Sequence, residues 1–124
     1  MNVLGMMVEA VKPGGVVLDL QVIRPKPRVE SGGRVVCEYL ADELFRKADA
    51  AAAAVDALIA RDRFFEEAVD DHDVLQHFDD GADLLAELTD PEQSLPAEAI
   101  PILRALRRAC EMRDHCRLRR LRIN

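Results

Sequence analysis

Val11-Lys12-Pro13-Gly14-Gly15 runs directly into Val16-Val17-Leu18-Asp19-Leu20-Gln21-Val22-Ile23, and the reading of this stretch decides the fold. Val3, Leu4, Met7, Val8 and Val11 recur at helical spacing, so residues 2 to 11 read as the end of an amphipathic helix. Pro13 discourages further helix, and a glycine after it tolerates the left-handed backbone that closes a helix C-terminus. Val16 to Ile23 is apolar apart from Asp19 and Gln21, the composition of a parallel strand covered on both faces. An unpaired carboxylate in such a strand is costly, so Asp19 is expected to find a partner or to reach the strand end.

Outward from this strand, Arg24-Pro25-Lys26-Pro27 breaks regular structure. Ser31-Gly32-Gly33 separates two β-prone runs, Arg28 to Glu30 and Arg34 to Cys37, which predicts a small hairpin. Leu44, Ala48, Ala51, Val55, Leu58 and Ile59 mark one helix to about Arg61, favoured by the alanines at 50 to 54. Phe64 to Phe78 has no helical stripe and reads as largely extended. Asp80 is placed to cap a short helix over Ala82 to Leu88, and Thr89-Asp90-Pro91 ends it. Ala97 to Met112 carries a helical apolar face, with Pro101 tolerable only in its first turn. Cys116 to Ile123 alternates imperfectly between arginine and apolar residues, and suits either a terminal strand with a bulge or a continued helix.

The 124 residues fit one domain, and an apolar content of 49% with 32% charged residues suits a globular rather than a disordered chain. Apolar runs are too short to span a membrane, and Met1 to Ala10 lacks a basic leader or a small-residue cleavage site, so the default location is cytoplasmic. Cys37, Cys110 and Cys116 are odd in number and widely spread, which reads as reduced thiols rather than a disulfide framework. No second cysteine pair or two-histidine motif joins Cys110, His115 and Cys116, so no metal site is expected. Charge is segregated: residues 66 to 98 hold twelve acidic and no basic side chains, whereas residues 99 to 124 hold eight arginines and two acids. Mutual attraction of these blocks in the folded chain is expected. An acidic net charge of −6, few aromatics and no recognised motif argue against nucleic acid as the partner of the arginines.

The order of helix, basic residue, Pro-Gly-Gly and apolar strand over residues 11 to 23 resembles the turn before the fifth strand of class I S-adenosylmethionine-dependent methyltransferases. The resemblance implies an α/β fold, a partial Rossmann-like methyltransferase sheet made of the fifth to seventh strands with flanking helices. Phe64 to Phe78 becomes the sixth strand, and the terminal arginine-rich segment the last, antiparallel one. The family holds its cofactor with a Gly-x-Gly-x-Gly loop after the first strand and an acidic residue after the second. Neither occurs before Lys12, and Gly14-Gly15 and Gly32-Gly33 do not supply such a loop, so no cofactor-binding residue is assigned here. S-adenosylmethionine is implied for the family, not for this chain alone.

Gln21 and Arg24 lie at the carboxyl end of the proposed fifth strand, the edge where open α/β sheets place ligands, and are the candidate substrate-binding residues. Against this stands a structural role for Gln21 and a solvated one for Arg24. Asp70, Asp71, His72 and Asp73 form the densest ionisable cluster, with His72 as a candidate base. Neighbours on a strand point to opposite faces, which favours a solvated acidic segment instead. His72 and His77, five residues apart, share neither a strand face nor a helix face, and no nucleophile motif suggests covalent catalysis. Two functions are therefore expected. One is a methyltransferase-like protein lacking the cofactor-binding half and inactive alone, an enzyme only if that half exists upstream. The other is a non-catalytic binding or assembly module, partnered by a second copy or by the missing amino-terminal half through the exposed edge of the fifth strand.

Overall fold

The computed structural model describes residues 13–124, so the helix expected over residues 2 to 11 lies outside the described residues. Five strands and four helices follow in the order β1 (Val16–Val22), β2 (Arg28–Ser31), β3 (Arg34–Glu38), α1 (Asp42–Ala60), β4 (Phe64–Phe78), α2 (Gly81–Glu87), α3 (Pro91–Ser94), α4 (Ala99–Ala105) and β5 (Cys110–Ile123). The strands form one antiparallel sheet in the order β1-β5-β2-β3, with β4 also paired to β5. The α/β class expected from the sequence holds at this level. The expectation of a parallel β1 covered on both faces does not.

β1 pairs antiparallel with β5, from Val16 opposite Arg122 to Val22 opposite Cys116. Its burial alternates: Val17 is buried, whereas Leu18 and Leu20 are 61% and 55% exposed. Period-2 alternation means that one face of the strand packs and the other stands open, so continuous apolar composition is no proof of two covered faces. The turn before β1 has the expected left-handed glycine, Gly14 at φ +83°. Its N–H donates to the Ile123 carbonyl at 2.8 Å, and Ile123 N–H donates to the Gly15 carbonyl at 2.9 Å, which joins the start of β1 to the end of β5.

The chain divides into two compact units. The first comprises the described portion of Met1–Ile23, with Leu44–His72 and Cys116–Asn124. Its core gathers Val17, Val55, Phe64, Leu121 and Ile123, with Leu58 and Ile59 packed against them. α1 supplies Val55 from its apolar stripe and ends in a tight left-handed closure. Asp62 takes φ +58°, its N–H donating to the Ile59 carbonyl and that of Arg63 to the Leu58 carbonyl.

The second unit comprises Arg24–Glu43 and Asp73–His115. The β2–β3 hairpin turns at Ser31-Gly32-Gly33-Arg34 as expected, and β2 also pairs with Glu111 to Arg113 of β5. Asp80 caps α2 as expected: its Oδ1 accepts from Asp83 N–H at 2.8 Å, while Asp83 Oδ2 accepts from Asp79 N–H at 3.1 Å. Gly81 is required by close approach. A Cβ there would lie 1.9 Å from the Leu103 carbonyl oxygen of α4, so the helices meet through bare backbone. The helix expected over Ala97 to Met112 is shorter, spanning only Ala99–Ala105, with Pro101 in its first turn. Leu106 turns extended and its carbonyl accepts from Gly81 N–H at 2.9 Å, which commits the following residues to β5. Val29, Tyr39, Phe78, Leu84, Leu95, Ala99, Leu103 and Cys110 form this unit's core.

Candidate functional site

The acidic block and the basic tail meet as neighbouring strands, β4 against β5. In the first unit Glu66 accepts from Arg119 Nε at 2.6 Å, and the same guanidinium reaches Asp56 of α1 at 3.0 Å. Glu67 takes both Arg120 and Arg122, and Asp71 takes Arg117 through two bonds of 2.7 and 2.9 Å. Glu66 and Glu67, near the start of β4, take arginines nearer the end of β5 than does Asp71, the sense of an antiparallel pair. Alternation along β5 divides the arginines: Arg120 and Arg122 lie on the face opposite Leu121 and Ile123, whereas Arg119 shares the face of these core residues and so reaches Asp56 of α1.

In the second unit the same strands carry a denser network. Asp73 accepts from Arg113 at 2.7 Å and meets His115 Nδ1 at 2.6 Å. Arg113 also donates to Glu30, which accepts from Arg28 as well, both at 2.7 Å. Glu111 completes the network against His77 Nδ1 at 3.2 Å. The guanidinium of Arg28, then that of Arg113, holds Glu30 below the ordinary carboxylate range. Arg113 and then His115 do the same for Asp73. Asp114 departs in the opposite direction, pushed up by burial.

Beside this network a groove of about 220 Å³ is lined by Glu30, Ser31, Gly32, His77, Ala109, Cys110 and Glu111. Its chemistry is that of acceptors, not of a nucleophile. Ser31 Oγ donates to the Ala109 carbonyl at 2.8 Å and is not aligned with a base. The Cys110 thiol is buried and its pKa is raised, first by desolvation and then by Asp80 and Asp83, which disfavours the reactive thiolate. Cys37 is likewise pushed up to about 11 by burial, and all three cysteines are free thiols. Asp73 and His115 have the contact of an orienting carboxylate and a base. The other ring nitrogen, Nε2, is buried without a hydrogen-bond partner, so no substrate proton is within its reach. Among the described residues no group of three or more His, Cys, Asp or Glu is placed to hold a metal ion, and no helix is long and apolar enough to cross a membrane.

The candidate substrate residues are placed as follows. Gln21, in the first unit, stands opposite Arg117 and donates its amide to Asp19 Oδ1 at 3.0 Å, which gives Asp19 the partner its position demands. Arg24, in the second unit, is exposed and precedes the cis peptide to Pro25. The cluster at 70 to 73 separates as strand geometry requires. His72 lies 3.1 Å from Asp70, Asp71 turns to Arg117, and Asp73 turns to Arg113 and His115. The network of Glu30, Arg113, Glu111 and His77 has no motif in the sequence; its only signal there is the segregation of charge.

No family model, no curated protein and no solved structure matches this chain.

Proposed function

We propose that this chain is the carboxyl-terminal portion of a methyltransferase-like domain, built on strands that would be the fifth to seventh of a Rossmann-like sheet, and that it transfers no methyl group alone. The observation that carries the reading is the position of β5. This terminal strand pairs antiparallel with β1, the proposed fifth strand, and also with β4, the proposed sixth. A terminal segment that returns antiparallel beside the strand after the Pro-Gly-Gly turn is what the resemblance implies.

The groove beside Glu30 and Glu111 does not support S-adenosylmethionine as its ligand. At about 220 Å³, it is smaller than the roughly 300 to 1,000 Å³ of pockets that bury ligands of this size. Its lining sets the Glu30 and Glu111 carboxylates and the His77 imidazole beside Ala109 and Cys110, with no Phe, Tyr or Trp ring to stack on an adenine. Methyl transfer needs a donor held in line with its acceptor, so a chain that does not hold the donor has no route to the reaction. Gln21 and Arg24 retain the substrate-side role only in a domain completed by a cofactor-binding half. Titration calorimetry of the whole chain with millimolar S-adenosylmethionine should give no binding heat; saturable binding would overturn the reading.

A second reading, an assembly module, is favoured by β1. Among the described residues this strand pairs only with β5, which leaves its other edge open beside the exposed Leu18 and Leu20.

A further inference from the structure

The outer strands of the first unit treat their edges differently. β4 carries Glu66, Glu67, Asp70 and Asp71, and an incoming copy of the same strand would meet its carboxylates with carboxylates. β1 carries one carboxylate in seven residues, no proline and no lysine, and so lacks the devices that keep an edge strand from pairing. We infer that the edge of β1 left unpaired among the described residues is a self-association site, where β1 of a second copy of this chain adds antiparallel about a two-fold axis at Leu20.

Charge and polarity select this register from the alternatives. An axis at Asp19 sets two Asp19 carboxylates face to face, a like-charge pair. An axis at Leu18 sets Asp19 opposite Val17 and Gln21 opposite Gly15, which leaves both polar groups beside residues that cannot answer them. With the axis at Leu20, Leu20 meets Leu20, Leu18 meets Val22, and Asp19 meets Gln21, each of the last two pairs occurring twice. Asp19 has an oxygen to spare: Oδ1 accepts from its own Gln21, whereas Oδ2 is covered and has no hydrogen-bond partner. A small side-chain rotation offers Oδ2 to the second copy's glutamine, whose amide carries two N–H donors. The same register covers Leu18 and Leu20, which are more than half exposed in the single chain. An isologous contact of this kind closes on itself as a dimer. It deepens the assembly reading by naming the partner, and it stands on the chemistry of the edge without appeal to the methyltransferase resemblance.

Sedimentation velocity of the full chain from micromolar to millimolar concentration should show a monomer–dimer equilibrium. Leu20→Lys brings two ammonium groups together and should raise the dimer Kd about tenfold or more, with an unchanged circular-dichroism spectrum. Leu20→Cys should form an interchain disulfide under mild oxidation. Directly opposed residues of an antiparallel pair lie about 4.5 to 5.5 Å apart at Cα, within disulfide reach. Leu18→Cys should not, since two Leu18 would sit about 13 Å apart along the strands. Oxidised wild-type chain corrects for the native thiols. A wild-type monomer at every concentration, a dimer unchanged in folded Leu20→Lys, or crosslinking of Leu18→Cys as readily as Leu20→Cys would each overturn the proposal. So would a dimer that crosslinks through neither position. None of these outcomes bears on the calorimetric test.

Discussion

β5 has two neighbours in the first unit, and it binds them by different physics. Toward β1 it presents Leu121 opposite Val17, both buried in the core that α1 closes. Toward β4 it presents Arg117, Arg119, Arg120 and Arg122, each engaging a carboxylate in solvent or at its margin. Apolar burial is non-directional and strong, whereas exposed ion pairs gain little beyond what water already gives the separate charges. Side chains therefore position β4 more than they stabilise it. The exception lies at its ends, where Phe64 and Phe78 are both buried.

The sharpest way to break this contrast is to attack the apolar side. Leu121→Ala removes a fully buried side chain and should lower unfolding free energy by about 2 to 5 kcal/mol in urea titration. On the ionic side, Arg119→Ala should cost more than its neighbours, about 1 kcal/mol, because its side chain is only 12% exposed and its loss leaves Glu66 and Asp56 without their shared cation. A loss equal to that of Leu121→Ala would erase the distinction.

Acid should separate the two sides further. Arg122 and Arg120 hold Glu67 below its ordinary 4.5, Arg117 holds Asp71 below 3.8, and Arg113 holds Asp73 below 3.8. A carboxylate with a depressed folded pKa stabilises fully above its unfolded value and loses that contribution as pH falls through the folded one. The melting temperature should therefore begin to fall as pH drops below about 4.5 and continue to fall beneath 3.8. Asp114, raised by burial, acts with the opposite sign, its contribution being lost as pH rises. The Leu121→Ala deficit should not change across the acid window. Arg117→Ala, whose ion pair with Asp71 is half exposed on both sides, should move the melting temperature least of all. A shift as large as that of Arg119→Ala would show that exposure does not grade the ladder.

Much of this arrangement was legible in the sequence where local chemistry decides conformation. The Gly14 turn, the β2–β3 hairpin, α1 and the Asp80 cap each rest on a few adjacent residues, and each formed where expected. Legibility failed where partners are distant. Leu106, Ala109 and Cys110 continue a helical apolar stripe on paper, yet the bond from Gly81 to the Leu106 carbonyl ends α4, and Cys110 opens β5. Leu18 and Leu20 look no different from Val17 in composition; only the pairing with β5 decides which face of β1 is covered. For the candidate site, charge segregation foretold that the acidic block and the basic tail would meet. It did not tell which carboxylate takes which arginine, because register is a property of two strands and not of either alone.

The exchanged backbone bonds between Gly14, Gly15 and Ile123 set how this sheet yields to force. Because the start of β1 and the end of β5 lie at the same end of their ladder, tension applied between them loads the pair from Val16 and Arg122 first. The bonds then break in sequence toward Val22 and Cys116, as a zip opens, rather than all at once in shear. A tether held at these two points should therefore peel β1 from β5 at low force, while the same strands pulled from opposite ends would resist together.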